Sequence, residues 1–337
     1  MRIALDAMGG DHAPGPIVAG AISAVRTFDD VTVVLVGDRG KINEHLPSEC
    51  PRERIEVVHS EHSIGMDESP VEGLRRKPDN SISKCWQMLA DKNVDAVVSA
   101  GNTGAMVAGG LRLRAFLKNV KRPGIATLMP TVKGRSVVLD VGANVNPKPI
   151  HLFQYGIMGM VFARDFLKIQ DPRIGLMNVG EEQGKGHSLV QQTHNLFRES
   201  PYSRNFIGNI EGRDIHRGVC EVVVTDGFVG NVILKLTEGV FDFVMKMVAT
   251  EIIAPLPSDR GLAQKAFHNL LARYDYSSFG GAPLLGIDGI CIICHGSSGE
   301  IAIHNAIRVA ADYARIGLNQ MIIRELETLP NVAEEES

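Results

Sequence analysis

Aromatic residues are scarce in this chain: 5% of 337 positions, with a single tryptophan. The core must therefore be aliphatic, as it usually is in α/β sheets. A surplus of charge is missing too. A net charge of −4 argues against a general nucleic-acid binder, which would be strongly basic. No stretch of about 18 uncharged apolar residues occurs, so no segment is expected to span a membrane. Arg2-Ile3-Ala4-Leu5-Asp6 reads as a strand from the start, so no N-terminal targeting signal is expected. Cysteines number five, at 50, 85, 220, 291 and 294. An odd, scattered set suits reduced thiols in a cytosol rather than a disulfide framework. Cys291-Ile292-Ile293-Cys294 has the C-x-x-C spacing but lies in an apolar run that reads as a strand. Residues three apart on a strand face opposite sides, so core cysteines are expected here, not a metal or redox pair.

What the chain has is glycine and a repeating order. Hydrophobic residues make up 44% of it, enough for a full core, and the length suits one large or two closely joined domains. Strands are expected at 2–7, 31–37, 54–59, 95–99, 125–130, 136–140, 173–178, 206–210, 221–225 and 290–294. Helices are expected at about 16–28, 39–46, 81–92, 105–116, 148–168, 188–197, 228–253, 260–273, 301–316 and 319–326. Strands alternating with helices predict an α/β, Rossmann-like fold, a mostly parallel sheet with helices on both faces. Val132-Lys133-Gly134-Arg135 is short enough for a hairpin, so the sheet should be partly mixed. Residues 61–80 show no clear period, and so long a connection favours a functional flap. Residues 276–289 read as a glycine-containing loop. A single domain over 1–329 is expected, then a disordered acidic tail at 330–337.

Open α/β sheets bind ligands at the carboxyl ends of their strands, and a helix start there offers unpaired N–H groups to an anion. The stretch 220–231, CEVVVTDGFVGN, is the fullest case: a buried strand, a polar turn, and a helix from near Phe228. Asp11 and His12 follow the first strand and either hold a polar substrate or cap their turn. The turn at 101–104 lacks the Walker spacing and its Lys-Ser/Thr. Lys185 stands between two glycines at a strand end, open to any ligand there. Ser297 and Glu300 have the capping-box spacing.

Arg112, Arg114, Lys118, Lys121 and Arg122 place five positive charges in eleven residues with no acid among them. That cluster suits an acidic partner, or an ordinary solvated helix end. Arg75-Arg76-Lys77 is a shorter basic run with the same two readings. The helix at 228–253 is apolar on more than one face, so it is buried or packed at a subunit interface. At 260–273, Leu262, Ala263, Ala266, Phe267, Leu270 and Leu271 recur at helical spacing between basic ends. Such a helix packs in a core or dimer, or lies on an anionic membrane.

The segments IALDAMGGDHAP, SAGNTGA, NVGEEQGKG, TDGFVGN and GICIICHGSS resemble, in order and over nearly the whole chain, the phosphate acyltransferase family of bacterial phospholipid synthesis. The resemblance implies a fold like the isocitrate and isopropylmalate dehydrogenases and the phosphotransacetylases, a homodimer, and no cofactor or metal. It implies transfer of a fatty acyl group from acyl carrier protein to inorganic phosphate, giving acyl phosphate for phosphatidic acid synthesis. A membrane glycerol-3-phosphate acyltransferase would consume that product. The family's catalytic lysine and asparagine fall on Lys185 and Asn231. Phosphate and substrate contacts are expected from Asp6, Gly9, Gly10, Asp11, His12, Asn102, Thr103, Gly104, Asp226, Gly230, His295 and Ser297. Arg112, Arg114, Lys118, Lys121 and Arg122 would dock the acidic carrier protein. An amphipathic segment at about 240–275 would form the dimer tip, with Leu262, Ala266, Phe267, Leu270 and Leu271 toward lipid. That places a cytoplasmic protein peripherally on the inner face of the membrane.

Three rival readings remain open at this stage. A phosphotransacetylase acting on acyl-CoA would share the fold and the phosphate and differ in its thiol carrier. An NAD-dependent decarboxylating dehydrogenase would need a carboxylate cluster for a divalent metal and a G-x-G-x-x-G after the first strand. Asp140 and Asp226 are isolated acids and that fingerprint is absent. A non-enzymatic acyl-binding or scaffolding protein would not need Lys185 and Asn231 in open glycine turns.

Overall fold

In the computed structural model the described residues are 1–254, 261, 263, 265–267 and 280–329. The acidic tail at 330–337 lies outside them, as do Leu262, Leu270 and Leu271. The strands are β1 Arg2–Asp6, β2 Thr32–Gly37, β3 Ile55–His59, β4 Ala96–Ser99, β5 Gly124–Thr131, β6 Gly134–Leu139, β7 Ile174–Met177, β8 Phe206–Ile210, β9 Val222–Val224, β10 Ala282–Leu285 and β11 Ile290–Ile293. They form one sheet in the order β3-β2-β1-β4-β11-β10-β5-β6-β9-β7-β8. The helices are α1 Gly15–Thr27, α2 Arg39–Glu44, α3 Pro70–Arg76, α4 Ser81–Ala90, α5 Thr103–Leu113, α6 Pro149–Val161, α7 Ser188–Glu199, α8 Gly212–Arg217, α9 Gly227–Met247, α10 Glu300–Ile316 and α11 Leu318–Glu327. A π-helical turn, Phe162–Phe166, extends α6, and another, Val248–Ile253, extends α9.

The sheet has two parallel blocks. One is β3, β2, β1, β4 and β11. The other is β6, β9, β7 and β8. Between them β11–β10, β10–β5 and β5–β6 are all antiparallel, so the second block runs opposite to the first. The hairpin expected at 132–135 is the β5–β6 turn. β10 lies where the sequence reads as a loop. It is four residues long and contains Pro283, which a strand tolerates only beside an unpaired position.

Alternation along the strands feeds two cores. Leu5, Val98, Ile292 and Cys294 face one side with Ile17 of α1, Phe153 of α6 and Ile303 of α10. Ala4, Val97, Cys291 and Ile293 face the other with Trp86 of α4 and Met106 of α5. Cys291 and Cys294 thus sit in opposite cores, as the strand geometry requires. All five cysteines are buried and free.

Two stretches differ from the sequence reading. The flap at 61–80 contains α3 and is tied down by an ion pair between Lys77 and Glu68 and by hydrogen bonds from Asn102. Its basic run is partly engaged, because Arg76 also faces Glu72. Residues 212–217, where the sequence analysis places no element, form a short helix, α8. As for α9, only Gly227 and Gly230 of its 21 residues are buried. Phe228, Leu236 and Phe243 are 62%, 64% and 62% exposed, so within one chain the core reading fails. No helix among the described residues is long and apolar enough to cross a membrane.

Candidate functional site

The turns after β1, β4 and β11 are stitched into one wall. The Asp11 N–H donates to the Gly296 carbonyl at 2.8 Å. Asp6, at the end of β1, is 1% exposed and accepts the Ser99 hydroxyl at 2.7 Å and the Met8 N–H at 3.2 Å. Burial pushes its carboxyl above the ordinary range, against the pull of those hydrogen bonds. Gly9 packs so closely that a Cβ would lie 2.6 Å from Asp6 Oδ2 and 2.6 Å from the Gly101 nitrogen. Gly10 takes a φ of +117°, open to glycine alone among common residues, and brings the turn against Gly296. Gly104 packs on Pro70. Asp6, Gly9, Gly10 and Gly104 are therefore the frame of this wall.

Asn102 is fully engaged within the protein. Its Oδ1 accepts the Ala105 N–H at 3.0 Å, capping α5. Its Nδ2 donates to the carbonyls of Gly65, Met66 and Glu68 at 3.0–3.2 Å. Asn102, expected from the sequence to contact substrate, instead anchors the 61–69 loop. Thr103, His12 and Asp11 are exposed. His295 Nδ1 lies 2.8 Å from the Ser297 hydroxyl and accepts the Ser297 N–H at 3.3 Å. α10 begins after Gly299 with no side-chain cap, so the spacing of Ser297 and Glu300 does not form a capping box.

The second wall comes from the turns after β6, β7 and β9. Asp140, after β6, is 0% exposed and accepts five hydrogen bonds. They come from the N–H groups of Ile125, Gly142, Ala143 and Asn144 and from the Asn144 amide, at 2.7–3.3 Å. Asn144 also reaches the Tyr155 hydroxyl at 2.8 Å. The sequence shows Asp140 only as an isolated acid at a turn; the signal it offered was its place at a strand end before Gly142 and Asn144. Gly230 packs on the Asp140 carbonyl, and Gly142 lies beside Asn231.

One expectation is overturned at the start of α9. The Asp226 carboxylate accepts the N–H groups of Phe228 and Val229 at 2.9 and 3.0 Å, and the Gly227 N–H goes to the Asn144 carbonyl at 2.8 Å. The donors that a helix start would lend to an anion are already taken by its own cap. Asp226 is therefore a capping residue, and the useful group is Asn231 on the exposed side of the first turns.

β7 and β9 are hydrogen-bonded neighbours, with Leu176 opposite Val224. Lys185 and Asn231, which follow them, thus stand on adjacent turns. His187 and Asp226 line one shallow depression between those turns. Three side-chain amides hold the lysine loop: Asn178 donates to the Lys185 carbonyl at 3.1 Å, Asn209 to that of Glu182 at 3.0 Å, and Gln191 to those of Gly184 and Gly186 at 3.0 Å.

The two walls meet over a cleft of about 450 Å³ between the blocks. Asp11, Thr103, Asn231 and His295 line it together, with Met66 from the flap. Leu234, Lys235 and Glu238 extend the lining along α9, at i+3, i+4 and i+7 from Asn231. Lys185 is exposed and does not line the cleft. Lys235 is the cation the sequence reading missed; its helical spacing from Asn231 was the available signal. No cluster of three or more His, Cys, Asp or Glu among the described residues would hold a metal ion.

Away from the cleft, Arg112, Arg114, Lys118, Lys121 and Arg122 are all exposed, but Lys118 is paired with Glu327 at 2.8 Å. Of the lipid-facing set, Ala266 and Phe267 are described, in helical conformation, exposed and half-buried respectively.

A protein-family profile described as "Fatty acid synthesis protein" matches residues 1–321. The phosphate acyltransferase of Geotalea daltonii is 45% identical over 330 residues, covering 97% of this chain and 94% of that protein. That of Halothermothrix orenii is 43% identical over 332 residues, covering 97% and 98%. Among solved structures, a phosphotransacetylase from Streptococcus pyogenes superposes with a TM-score of 0.59 at 15% identity, covering 96% of this chain and 94% of that one. At that identity the likeness speaks for the fold alone, and it is the fold just described. With 45% identity across nearly all of both chains, and the glycine turns of both walls inside the matched span, this chain belongs to the phosphate acyltransferase family of fatty acid synthesis.

Proposed function

We propose that the cleft transfers a fatty acyl group from an acyl carrier protein thioester to inorganic phosphate. The reading rests on one observation: Asn231, Asp11, Thr103 and His295 converge on a cleft whose remaining lining is largely apolar. A phosphate oxygen attacks the thioester carbonyl and forms a C–O bond. The tetrahedral oxyanion collapses, the C–S bond breaks, and the sulfur leaves as a thiolate that takes a proton from solvent. The products are acyl phosphate and the free phosphopantetheine thiol.

Inorganic phosphate is substantially dianionic near neutral pH, its second pKa being about 7, roughly one unit above that of phosphoesters. It needs positioning more than activation. The Asn231 amide and Lys185 of the adjacent turn are the donors for the oxyanion, and Lys235 inside the cleft holds phosphate. Losing one such donor costs about 10²–10³ in rate. A cysteine-bound acyl-enzyme finds no support: burial raises the thiols of all five cysteines, those of Cys220 and Cys294 to about 12, so none is a ready nucleophile.

The exposed apolar ridge of α9 supports a homodimer, with the adjoining segment at 260–273 resting on a membrane surface. There, acyl phosphate would pass to a membrane glycerol-3-phosphate acyltransferase from the cytoplasmic side. The basic cluster around Arg112 and Arg122 docks the acidic carrier protein.

The deciding experiment measures free thiol released from an acyl carrier protein thioester with and without phosphate, with no metal or nicotinamide added. Thiol release that ignores phosphate would end the proposal. Faster turnover of acyl-CoA than of the carrier protein thioester would favour the phosphotransacetylase reading.

A further inference from the structure

We propose that the acyl chain lies in a slot where the sheet opens between β5 and β10, so that this slot sets chain-length preference. This rests on the acyl transfer proposed above and adds the place of the chain. β10 pairs with β5 only through Leu284 opposite Ile125 and Leu285 opposite Gly124. Its other half turns away, with Ala282 opposite Ile293 and Pro283 opposite Ile292 on β11. Past Ile125, β5 continues as Ala126, Thr127 and Leu128, paired on its other side with β6. The ladder therefore opens into a wedge, with Ala126 and Leu128 on one side and Ala282 and Pro283 on the other.

The wedge has a polar mouth and an aromatic floor. Asp11, Lys235 and Glu238 place their charges at the mouth beside Asn231. At the far end are Phe162, Phe166 and Tyr313, with ring centroids 4.6–5.5 Å apart and the tyrosine edge-on to both phenylalanines. An acyl thioester has this polarity, a reactive carbonyl followed by a hydrocarbon. The cleft volume of about 450 Å³ lies in the usual range for small-molecule sites, about 300–1,000 Å³. If a methylene takes about the 30 Å³ of a water, the space suits a chain on the order of a dozen carbons. Each methylene moved from water into such a slot favours binding about fourfold. Small residues, Ala126 and Ala282, stand where a bulky side chain would block entry, and Phe166 is only half-buried, so it is a floor that can be lowered.

The test compares butyryl, decanoyl and palmitoyl carrier protein thioesters by kcat/KM for phosphate-dependent thiol release. Ala126→Leu and Ala282→Leu should lower the palmitoyl-to-butyryl ratio tenfold or more, with butyryl turnover kept. Phe166→Ala should raise that ratio. Ala126 is in the core, so if its variant fails to fold, Ala282→Leu and Phe166→Ala decide. A ratio unchanged in both, or equal loss for all chains in folded protein, overturns the slot. Butyryl turnover in the unmodified enzyme tests acyl transfer separately. If no thioester reacts, displacement of a fluorescent fatty acid by palmitate still judges the slot: loss of displacement in Ala282→Leu supports it, and unchanged displacement overturns it.

Discussion

Lys235 Nζ lies 2.8 Å from Glu238 Oε2, and both side chains line the cleft that Asn231 enters one helical turn earlier. The pair gives the cleft a cation of its own, while Lys185 stands on the neighbouring turn outside it. A dianionic phosphate would compete with Glu238 for the lysine, which separates the two lysines by kinetics. Lys185→Ala and Asn231→Ala should each lower kcat/KM by about 10²–10³ while the variants melt like the parent. Lys235→Ala should raise the KM for phosphate and change kcat less. Near-normal turnover in Lys185→Ala, with a large kcat loss in Lys235→Ala, would exchange their roles.

The basic cluster is not uniform. Lys118 is neutralised by Glu327 from α11, so its long-range pull on an acidic partner is weak. Reversing Arg112 or Arg122 to Glu should raise the KM for carrier protein several-fold and flatten its dependence on salt. The double variant Lys118→Ala/Glu327→Ala, which removes the pair whole and leaves the net charge unchanged, should do little. The check is KM for the carrier protein thioester across a range of ionic strength. Equal salt slopes in all three variants would move the dock to another surface.

Asp140 is the residue on which the second wall hangs. Asp140→Ala leaves four backbone N–H groups without their acceptor in a buried turn, while the Asn144 amide keeps the Pro123 carbonyl and the Tyr155 hydroxyl. Each buried donor left unsatisfied costs about 1–3 kcal/mol, so a loss of about 3 kcal/mol or more is expected. Asp140→Asn keeps an acceptor oxygen and should fall between. Because Gly142 adjoins Asn231 and Gly230 packs on the Asp140 carbonyl, activity in Asp140→Asn should fall further than its melting temperature suggests. Denaturant melts and turnover on the same preparations read both quantities. Full activity in Asp140→Asn would show that the turn does not position Asn231.

Much of this was legible in the sequence, for physical reasons. Apolar runs of four to six residues and the glycine turns marked ten strands, because buried strands are continuous in hydrophobicity. Cys291 and Cys294 could be separated by the two-residue period alone. What sequence could not give was adjacency: Lys185 and Asn231 become neighbours only because β9 pairs with β7. Side-chain economy was equally hidden. Asp226 and Asn102 looked like ligands at helix starts, but each satisfies the backbone of its own helix or of a loop distant in sequence. β10 escaped notice because its length and its proline fall below what periodicity resolves, and it is the strand on which the opening of the sheet depends. The exposure of α9 is likewise invisible in its composition, which reads as that of a buried helix.

The basic cluster also leaves a mark on stability. His151 sits in the first turn of α6, and its Nδ1 accepts the Lys148 N–H at 3.0 Å. Burial, then the charges of Arg122, Lys148 and Lys121, lower its pKa from 6.5 to about 4. An unfolded chain would therefore bind a proton at His151 between pH 6.5 and 4 that the folded protein does not. By linkage, stability contributed by the neutral ring is complete above pH 6.5 and declines as pH falls toward 4. Protonation would also turn Nδ1 from acceptor to donor and break its bond to Lys148. The melting temperature of the parent should therefore fall more steeply over that window than that of His151→Gln. Arg122→Gln, which removes one of the repelling charges, should shift the His151 titration upward when followed by NMR. Parallel melting curves for parent and His151→Gln would rule out this histidine as a source of acid sensitivity.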